Sequence, residues 1–451
     1  MTFKSFSNPS FGVKMLAFQS YCSEIETLAI NASRYGVDQN NIEQINAALN
    51  GGPSHALRHV IKLDDRRKAG AFFTGSELAN MAIADHIRAI SNERSLLDPT
   101  CGTGDLLLAC SRYLPLQHDL KETLKEWGKR LVGYDICEEF IRVTKARLIL
   151  SAIKRGIYTG KTYISSLDDF FPLIKVGDGM CQSAAINSAD YIVINPPYPI
   201  IKIPEGKCSW ATGKVTQAAL FIESCLLHAK NGTRIIAILP DVLRSGGRYK
   251  KWREHILKMA HVDNLKIFGQ FDRWTDIDVF ILSLTVKANK VNKQEIREWW
   301  GIKKESIKHT VGDFFDVHVG SVVPYRDSHL GDWQTYIYPK MIKPWATIKT
   351  INKRRRYSGK LLKPPFVVVR RTSRPGDKFR AVGSIINVKE NVAVENHFLV
   401  VQPKDSKLRT CKQLLKKLST PQTTEWLNER IRCRHLTVSS LADLPWWDLT
   451  E

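Results

Sequence analysis

The stretch SADYIVINPPYPI, residues 188–200, decides how the chain around it is expected to fold. Its apolar part, residues 191–194, is rich in β-branched side chains and predicts a buried strand. That strand must end near Asn195, because the two prolines that follow lack an N–H group and fix φ. A strand end and a turn would explain the prolines without any function. The complete tetrapeptide Asn195–Tyr198 is a more specific signal than the two prolines alone. The neighbouring segments decide whether it indicates a functional site.

Strand and helix patterns alternate on both sides of this stretch, from about residue 66 to residue 290. The predicted strands cover residues 95–100, 130–136, 191–195, 233–240 and 278–287, with helices between them at 104–114, 137–156 and 217–230. This alternation predicts an α/β fold with a doubly wound, mostly parallel sheet. Ligands bind such sheets at the carboxyl ends of the strands. Asp98, Asp135 and Asn195 occupy such ends, so we expect them to border one site.

Two further segments flank the α/β region. Residues 1–65 carry apolar residues three and four positions apart, which predicts a helical N-terminal segment. Beyond residue 295, short apolar runs are broken by Gly, Pro and charged residues, which predicts a second, β-rich domain. The expected organisation is therefore a helical segment over 1–65, a catalytic domain over 66–295 and a binding domain over 296–451.

The charge balance favours a polyanionic partner. The 451 residues include 67 Lys and Arg against 45 Asp and Glu, a net charge of +22, and such a surplus most often serves nucleic acid binding. The alternative is a generally basic protein. Basic runs concentrate late in the chain, as KRRRY at 353–357 and VVVRRTSRPGDKFR at 367–380.

Other bulk features exclude several classes of protein. We expect no transmembrane helix, because charged residues interrupt every long apolar run. No signal peptide is apparent at the start of the sequence. The nine cysteines are scattered without a CxxC pair, which argues against a disulfide framework or a zinc cluster and for a reducing cytoplasm.

The segment LLDPTCGTGDLL, residues 96–107, predicts a strand, a tight glycine turn and a helix. Gly102 and Gly104 would let the backbone approach a ligand, and the helix N-terminus attracts negative charge. Asp135 ends the next strand, where an acid can bind both hydroxyls of a ribose or simply cap the helix that follows. Asp178 can accept from an adenine amino group or stabilise an Asp-Gly turn.

Together these motifs resemble those of a known enzyme family. RRKAGAFFTGSELANMAIADHI (66–87), DPTCGTGDLL (98–107), GYDI (133–136), GDG (177–179) and DYIVINPPY (190–198) look like the motifs of S-adenosylmethionine-dependent DNA adenine-N6 methyltransferases. Their order resembles the γ arrangement, in which an FFT segment, a Gly-rich loop, NPPY and a target-recognition domain follow one another. The helical segment before residue 66 departs from that pattern. The resemblance implies a Rossmann-like methyltransferase sheet and S-adenosylmethionine as cofactor.

The resemblance also implies roles for individual residues. Those expected to bind the cofactor are Phe73, Thr74, Asp98, Gly102, Gly104, Asp135 and Asp178. The adenine amino group is a poor nucleophile, and the Asn195 amide oxygen with the Pro196 carbonyl would accept its two N–H groups. Tyr198 would stack on the flipped base, and Phe271 is either a second stacking ring or a core residue. The chemistry needs neither a metal nor a cysteine nucleophile.

The basic runs would bind DNA in two ways. Lys353, Arg354 and Arg355 are expected to contact phosphates, whereas Arg370, Arg371 and Arg374 border a turn from which they could contact base edges. A solvated basic face is the alternative. The resemblance implies double-stranded DNA as partner and a restriction-modification role in a prokaryotic or phage setting. A cognate restriction endonuclease or another restriction-modification subunit is the second partner that it implies. Methylation of RNA or of a protein glutamine, and a DNA-binding protein with an inactive core, stay open as alternatives.

Overall fold

The structure, a computed structural model, describes residues 9–92, 94–156, 158, 162–206, 208–272, 274–287, 299 and 308–447. The chain divides into two compact units. Unit 1 combines Met1–Pro240 with Lys251–Ile296, and unit 2 combines Asp241–Lys250 with Arg297–Glu451. The functional domains expected at 1–65, 66–295 and 296–451 stay a prediction, because compactness alone does not assign their roles.

Unit 1 contains one large sheet and a hairpin. Its strands are β1 (Leu96–Asp98), β2 (Leu131–Asp135), β3 (Ile174–Val176), β4 (Tyr191–Ile194), β5 (Ile200–Lys202), β6 (Lys214–Thr216), β7 (Arg234–Pro240), β8 (Ala260–Gln270) and β9 (Asp278–Val286). The sheet has the order β3-β2-β1-β4-β7-β9-β8, and β5 and β6 form the hairpin. The pairs from β3 to β7 are parallel, whereas β9 is antiparallel to both β7 and β8. This mostly parallel α/β sheet confirms the fold class expected from the sequence.

Burial on both faces explains why the central strands are continuously apolar. All four residues of β4 are buried, and so are all three residues of β1. Helices cover both faces of a parallel sheet, so its inner strands lack the polar alternation of a half-exposed sheet. Each buried Ile or Val contributes about 1.5–3 kcal/mol relative to an exposed one. The polar residues at the ends of these strands are therefore exceptions to the apolar pattern, and they indicate where a site can lie.

The described helices of the chain are α1 (Pro9–Tyr35), α2 (Ile42–Leu49), α3 (Gly52–Val60), α4 (Leu63–Ala69), α5 (Ser76–Ile83), α6 (Ile87–Ser91), α7 (Asp105–Ser111), α8 (Leu120–Arg130), α9 (Glu138–Gly156), α10 (Ser183–Ser188), α11 (Gln217–His228), α12 (Asp241–Ser245), α13 (Lys250–Met259), α14 (Val311–Phe314), α15 (Leu408–Leu418), α16 (Pro421–Arg430) and α17 (Val438–Ala442). Helices α1–α4 form the helical N-terminal segment. Its buried residues Ile25, Leu28 and Ile45 share one apolar core with the large sheet, so the segment is an integral layer of unit 1.

None of the helices among the described residues has the length and apolar character needed to cross a membrane.

Unit 2 is rich in short strands, as the sequence predicts. They are β10 (Phe315–Val319), β11 (Trp333–Ile337), β12 (Thr347–Ile348), β13 (Arg354–Arg356), β14 (Phe366–Arg370), β15 (Gly383–Ile386), β16 (Val392–Val394) and β17 (Phe398–Pro403). Five of them form a sheet in the order β10-β17-β14-β15-β12, and three form a second sheet in the order β13-β11-β16. The sequence analysis did not foresee helices α15 to α17. Helix α15 buries Cys411, Leu414 and Leu418, whose helical spacing was the signal for it.

The segment that follows β7 belongs to unit 2, although both of its chain neighbours belong to unit 1. Asp241 begins this segment and is only 2% exposed. Its carboxylate accepts from Arg244 Nε at 2.6 Å, from Ser245 Oγ at 2.6 Å and from the Arg432 backbone N–H at 2.9 Å. A buried carboxylate needs this many donors, because desolvation of an unpaired charge is costly. The segment 241–250 is therefore an internal part of unit 2.

At Gly128, packing and helix propensity have opposite effects on the stability of a Gly→Ala variant. An Ala in the interior of α8 would gain about 1 kcal/mol from propensity alone. A Cβ at Gly128 would, however, lie 1.8 Å from the carbonyl oxygen of Phe170, and overpacking of this kind costs about 1–3 kcal/mol or more. We expect Gly128→Ala to lower the free energy of unfolding by about 1–2 kcal/mol net, measured by urea denaturation. Gly247→Ala is the control, since its Cβ meets nothing within 4 Å; a Gly128→Ala protein as stable as that control would contradict the expectation.

Candidate active site

A cavity of about 760 Å³, open to solvent, lies in unit 1 where strands β1, β2 and β4 end. The residues around it come from the end of α4, from the FFT segment, from the loops after β1, β2, β3 and β4, and from helices α9 and α11. They include Ala69, Gly70, Phe72, Phe73, Thr100, Gly102, Asp135, Ile136, Phe140, Asp178, Asn195, Pro197, Gln217 and Phe221. A smaller cavity of about 250 Å³ adjoins it and adds Thr74, Asp98 and Asp105. The topology thus brings together residues that are more than 120 positions apart in the sequence.

Asn195 is held by hydrogen bonds at both ends of its amide. Its Nδ2 donates to Thr74 Oγ1 at 3.0 Å, and its Oδ1 accepts from the Tyr198 hydroxyl at 2.8 Å. Its backbone carbonyl accepts from Thr100 Oγ1 at 3.3 Å. Because an amide oxygen has two lone pairs, Oδ1 keeps one acceptor position beyond the bond to Tyr198. The half-buried Asn195 amide is therefore oriented on the cavity wall with acceptor capacity to spare.

The Tyr198 side chain has polar contacts at its hydroxyl and an aromatic contact at its ring. Its hydroxyl also lies 3.2 Å from the carbonyl oxygen of Ile238, at the end of β7, and burial raises the pKa of Tyr198 well above the usual value. The ring meets that of Phe271 at 6.1 Å and 80°, an edge-to-face arrangement. Phe271 is itself 6% exposed within the core of unit 1. Its contact with Tyr198 supports that ring, and the stacking role of Phe271 stays a prediction.

Asp135 closes the cavity at the end of β2. Its two carboxylate oxygens accept from the backbone N–H of Gly102 at 3.1 Å and of Cys137 at 2.9 Å. Burial raises the pKa of Asp135 to about 6, although these two donors oppose the shift. Each oxygen retains a further lone pair, so the group can still accept from a ligand. The helix-capping and ligand-binding interpretations of Asp135 are therefore compatible, because the two kinds of bond use different lone pairs.

The two other strand-end acids have different environments. Asp178 is half-buried on the cavity wall and accepts from the Met180 backbone N–H at 3.0 Å, as the turn interpretation expects. Asp98 is 2% exposed, accepts from the Thr100 N–H at 3.0 Å and borders the smaller cavity. Burial raises the pKa of Asp98 well above its usual value, and the nearby charges of Asp135 and Asp105 raise it further.

The Gly-rich loop depends on glycine at both predicted positions. Gly102 and Gly104 have φ values of +53° and +86°, which disfavour any side chain. A Cβ at Gly104 would also lie 2.7 Å from the Thr144 methyl group. Gly102 lies beside the ring of Phe73, and both residues line the cavity. The Phe73 ring packs edge-on against Phe140 at 5.0 Å. Gly104 and the buried Pro196 thus shape the backbone behind the cavity surface, while Gly102 and Phe73 line it.

An ion pair that the sequence analysis missed supports this arrangement. Arg147, 1% exposed on α9, pairs with Asp105 at 2.9 Å, and Asp105 accepts from the Gly75 N–H at 2.9 Å. Arg147 Nε donates to the carbonyl oxygen of Ala48 at 2.8 Å. The pair therefore connects the helical N-terminal segment, the FFT segment and the Gly-rich loop. Sequence offers only a weak signal for it, an Arg among the apolar residues of a buried helix.

The residues expected to contact phosphates lie in unit 2, Lys353 directly before β13 and Arg354 and Arg355 on this strand. Lys353 and Arg354 are exposed, and Arg354 pairs with Glu390 at 3.0 Å. Arg355 is buried, because it points to the opposite face of the strand. Its guanidinium donates to the Asp327 carbonyl oxygen at 2.7 Å and lies 5.7 Å from the Tyr336 ring centroid. These contacts favour a structural role for Arg355 over the expected phosphate contact, which alternation along the strand could have indicated.

The arginines expected to contact bases lie near the end of β14. Arg370 is half-buried and donates to the Ile342 carbonyl oxygen at 3.3 Å. Arg371 is also half-buried, and its backbone N–H donates to His397 O. Arg374 is exposed in a turn whose Asp377 carboxylate accepts from the Arg374 N–H at 2.7 Å. Of the three, Arg374 is the most accessible to a ligand.

Comparison with solved structures supports the fold. The type IIL restriction-modification enzyme MmeI, solved in complex with DNA, superposes with a TM-score of 0.53 at 11% identity, over 86% of this chain and 69% of that one. The type IIG restriction endonuclease BpuSI gives a TM-score of 0.44 at 12% identity, over 99% and 71%. A modification subunit of a type I restriction enzyme from Vibrio vulnificus YJ016 gives 0.34 at 19% identity, over 58% and 62%. Of these three, only the MmeI superposition exceeds 0.5.

The family follows from the sequence match that covers the cavity. The profile of the family described as N-6 DNA Methylase matches residues 61–298, more than half of the chain. The matched range includes the FFT segment, the Gly-rich loop, Asp135, Asp178 and Asn195, which the fold has gathered around one cavity. The chain belongs to the N-6 DNA methylase family.

Proposed function

We propose that this chain transfers a methyl group from S-adenosylmethionine to N6 of a flipped adenine in duplex DNA, as the modification enzyme of a restriction-modification system. Family membership supports adenine-specific DNA methylation. The motif order supports the γ arrangement, since the FFT segment precedes the Gly-rich loop and NPPY, and a β-rich unit follows. The observation that carries the proposal is an oriented Asn195 amide on a cavity that Asp135 and Asp178 also line.

The cavity fits a nucleoside-containing cofactor. Its carboxylates at Asp135 and Asp178 can accept from ribose hydroxyls and an adenine amino group, and Ile136 and Phe221 offer apolar surface between them. The cavity-lining residues that would hold S-adenosylmethionine are Phe73, Thr74, Asp98, Gly102, Asp135 and Asp178. Gly104 would serve the same ligand by shaping the loop backbone behind them. When bound, the cofactor supplies an electrophilic methyl group on a sulfonium. The glycines keep side chains out of the loop, so the backbone can approach that ligand closely.

Asn195 and Pro196 would act on the adenine amino group. The N6 lone pair is delocalised into the ring, and two acceptors that bind both N–H groups favour a tetrahedral nitrogen with a localised pair. Thr74 and Tyr198 fix the Asn195 amide so that its oxygen is the atom with free acceptor capacity. The Pro196 carbonyl is the second acceptor, because the proline ring limits backbone freedom. Both groups are preorganised, so little reorganisation accompanies the reaction.

Tyr198 would also supply the surface for the extruded base. Stacking on an aromatic ring contributes about 1–3 kcal/mol per base, which offsets part of the cost of base flipping. Phe271 supports Tyr198 from the core and is the second candidate for base contact. In unit 2, the exposed Lys353 and Arg354 are proposed phosphate contacts, and Arg370, Arg371 and Arg374 are proposed base-edge contacts. A cognate restriction endonuclease is the proposed second partner of the system.

Methyl transfer tests the proposal directly. The full chain is incubated with methyl-labelled S-adenosylmethionine and with duplex DNA, RNA and protein in parallel. We expect label in duplex DNA as N6-methyladenine at one recognition sequence, found by nucleoside analysis and by sequencing. Asn195→Ala removes one acceptor and is expected to lower kcat about 10²–10⁴-fold, with cofactor affinity near the parent's.

Tyr198→Phe is the matched control for Asn195→Ala. It keeps the ring and removes the hydroxyl that donates to Asn195 Oδ1. We expect it to keep far more activity than Asn195→Ala, because the amide acceptor is still present. Label in RNA or protein alone would contradict the DNA assignment. An Asn195→Ala protein with the parent's kcat would contradict the acceptor role.

Cofactor affinity is expected to depend on pH through Asp135. The pKa of this carboxyl is raised to about 6, so it gains a proton as the pH falls through that value. Only the ionised form accepts hydrogen bonds at both oxygens, so binding of S-adenosylmethionine should weaken about tenfold between pH 8 and pH 5. Calorimetric titration across this range measures the effect. Asp135→Asn cannot ionise and should bind weakly with a flat profile, and a parent profile equally flat would rule out the ribose contact.

A further inference from the structure

A basic surface lies on the helical N-terminal segment next to the cavity. It is called here the α3–α4 surface and consists of Arg58, Lys62, Arg67, Lys68 and the nearby Trp274, together with the buried Arg66 of the same helix as Arg67. All of these residues belong to unit 1. Its acidic neighbours are Asp64, which pairs with Arg67 at 3.6 Å, Asp65, and Asp272 near Arg66. Cations outnumber acids on this surface, so it carries net positive charge.

Arg66 lies close enough to Arg58 and Arg67 to be affected by the positive charge of both. Arg66 is 7% exposed, and its Nε donates to the Ile61 carbonyl oxygen at 3.2 Å. Burial lowers the pKa of Arg66, and the positive charge of Arg58 lowers it further. Arg67 adds to the same effect, while Asp272 opposes it. Like charges held together in a fold cost stability, and an anion bound among them relieves the repulsion.

The surface reaches the catalytic residues through two contacts. The Arg66 guanidinium lies 5.6 Å from the ring centroid of Phe72, which lines both cavities. Gly70 ends α4 with φ of +67°, and a Cβ there would lie 2.6 Å from Cβ of Pro197. The end of α4 therefore packs directly against the NPPY turn, and Ala69 and Gly70, which follow the arginines in the chain, line the cavity.

Trp274 provides an aromatic group beside these charges. Its side chain is 49% exposed, and the Arg58 guanidinium lies 5.7 Å from its ring centroid. Two hydrogen bonds lie close to it: the Asp272 carboxylate accepts from the Trp274 N–H at 2.8 Å, and the Phe271 N–H donates to the Ile277 carbonyl oxygen at 2.8 Å. The turn that exposes Trp274 thus begins at the residue whose ring supports Tyr198.

We propose that the α3–α4 surface binds the sugar-phosphate backbone of duplex DNA beside the adenine that enters the cavity. This inference rests on the proposed function and assigns a role to the helical N-terminal segment. The charge of the surface is complementary to phosphate, and guanidinium groups bind phosphate in bidentate geometry. Exposed aromatic and cationic groups together are suited to a nucleic acid backbone with a displaced base. The contact is independent of sequence, so it contributes affinity and not recognition.

The test compares Arg58→Gln/Arg67→Gln with the parent in the full chain. The ligand is a duplex oligonucleotide, and binding is measured by fluorescence anisotropy at several salt concentrations. We expect the DNA Kd to rise about tenfold or more near 0.1 M salt and the salt slope to fall by about 0.9 for each lost phosphate contact. Arg58→Lys/Arg67→Lys retains both charges and should restore most of the slope, which a purely structural role would not predict. Calorimetric affinity for S-adenosylmethionine should match the parent's.

Two controls separate the possible outcomes. Lys121→Gln/Lys125→Gln removes two exposed charges from α8, which leads into the amino end of β2, and should leave DNA binding unchanged. If the Gln double variant loses cofactor affinity, Arg67→Gln alone removes a 47%-exposed charge with less disturbance and should lower the slope by about 0.9. A parent-like DNA Kd and slope in these variants would overturn the inference. A parent that methylates RNA or protein but not DNA would instead overturn the proposed function.

Discussion

The geometry around the cavity depends on one buried ion pair, between Arg147 and Asp105. The guanidinium binds a carboxylate on α7 and carbonyl oxygens at the end of α2, while that carboxylate also holds the Gly75 N–H. A pair of this kind is costly to break, because a remaining buried charge destabilises a protein by about 3–5 kcal/mol. The glycine loop and the FFT segment therefore share a single electrostatic anchor, and neither can shift without the other.

Under the proposed function, this anchor also joins the expected cofactor site to the orientation of the Asn195 amide. Thr74 directly precedes Gly75, which Asp105 holds, and the Thr74 hydroxyl accepts from Asn195 Nδ2. A displacement of the FFT segment would release the amide to rotate, so that its NH₂ group could face the base in place of its oxygen. Under the proposed function, the methyl donor and the nucleophile would thus be positioned through one continuous set of contacts.

Local patterns predicted the strand ends well, because buried parallel strands are continuously apolar and their polar terminal residues are conspicuous. Asp98, Asp135 and Asn195 were found in this way, and the structure gathers them around adjoining cavities. Arg147 could not be found, since its partners lie 42 and 99 positions away and only the tertiary fold brings them together. The expected phosphate contact of Arg355 stays a prediction, and the burial of this side chain was not foreseen. A run of arginines on a strand alternates between faces, and the burial of one face depends on a partner strand.

Residues 241–250 belong to unit 2, although they lie between two parts of unit 1 in the sequence. This arrangement affects how new DNA specificities could arise by recombination. A single recombination event after residue 296 would exchange most of unit 2 but leave this segment with the old sequence. Asp241 would then face foreign residues in place of Arg432 and Cys433, with its carboxylate still excluded from water. A successful exchange of unit 2 between relatives therefore requires that residues 241–250 are exchanged together with the later part of the chain. Unit 2 is encoded by two separate stretches of the gene, and an exchange of this unit must include both of them.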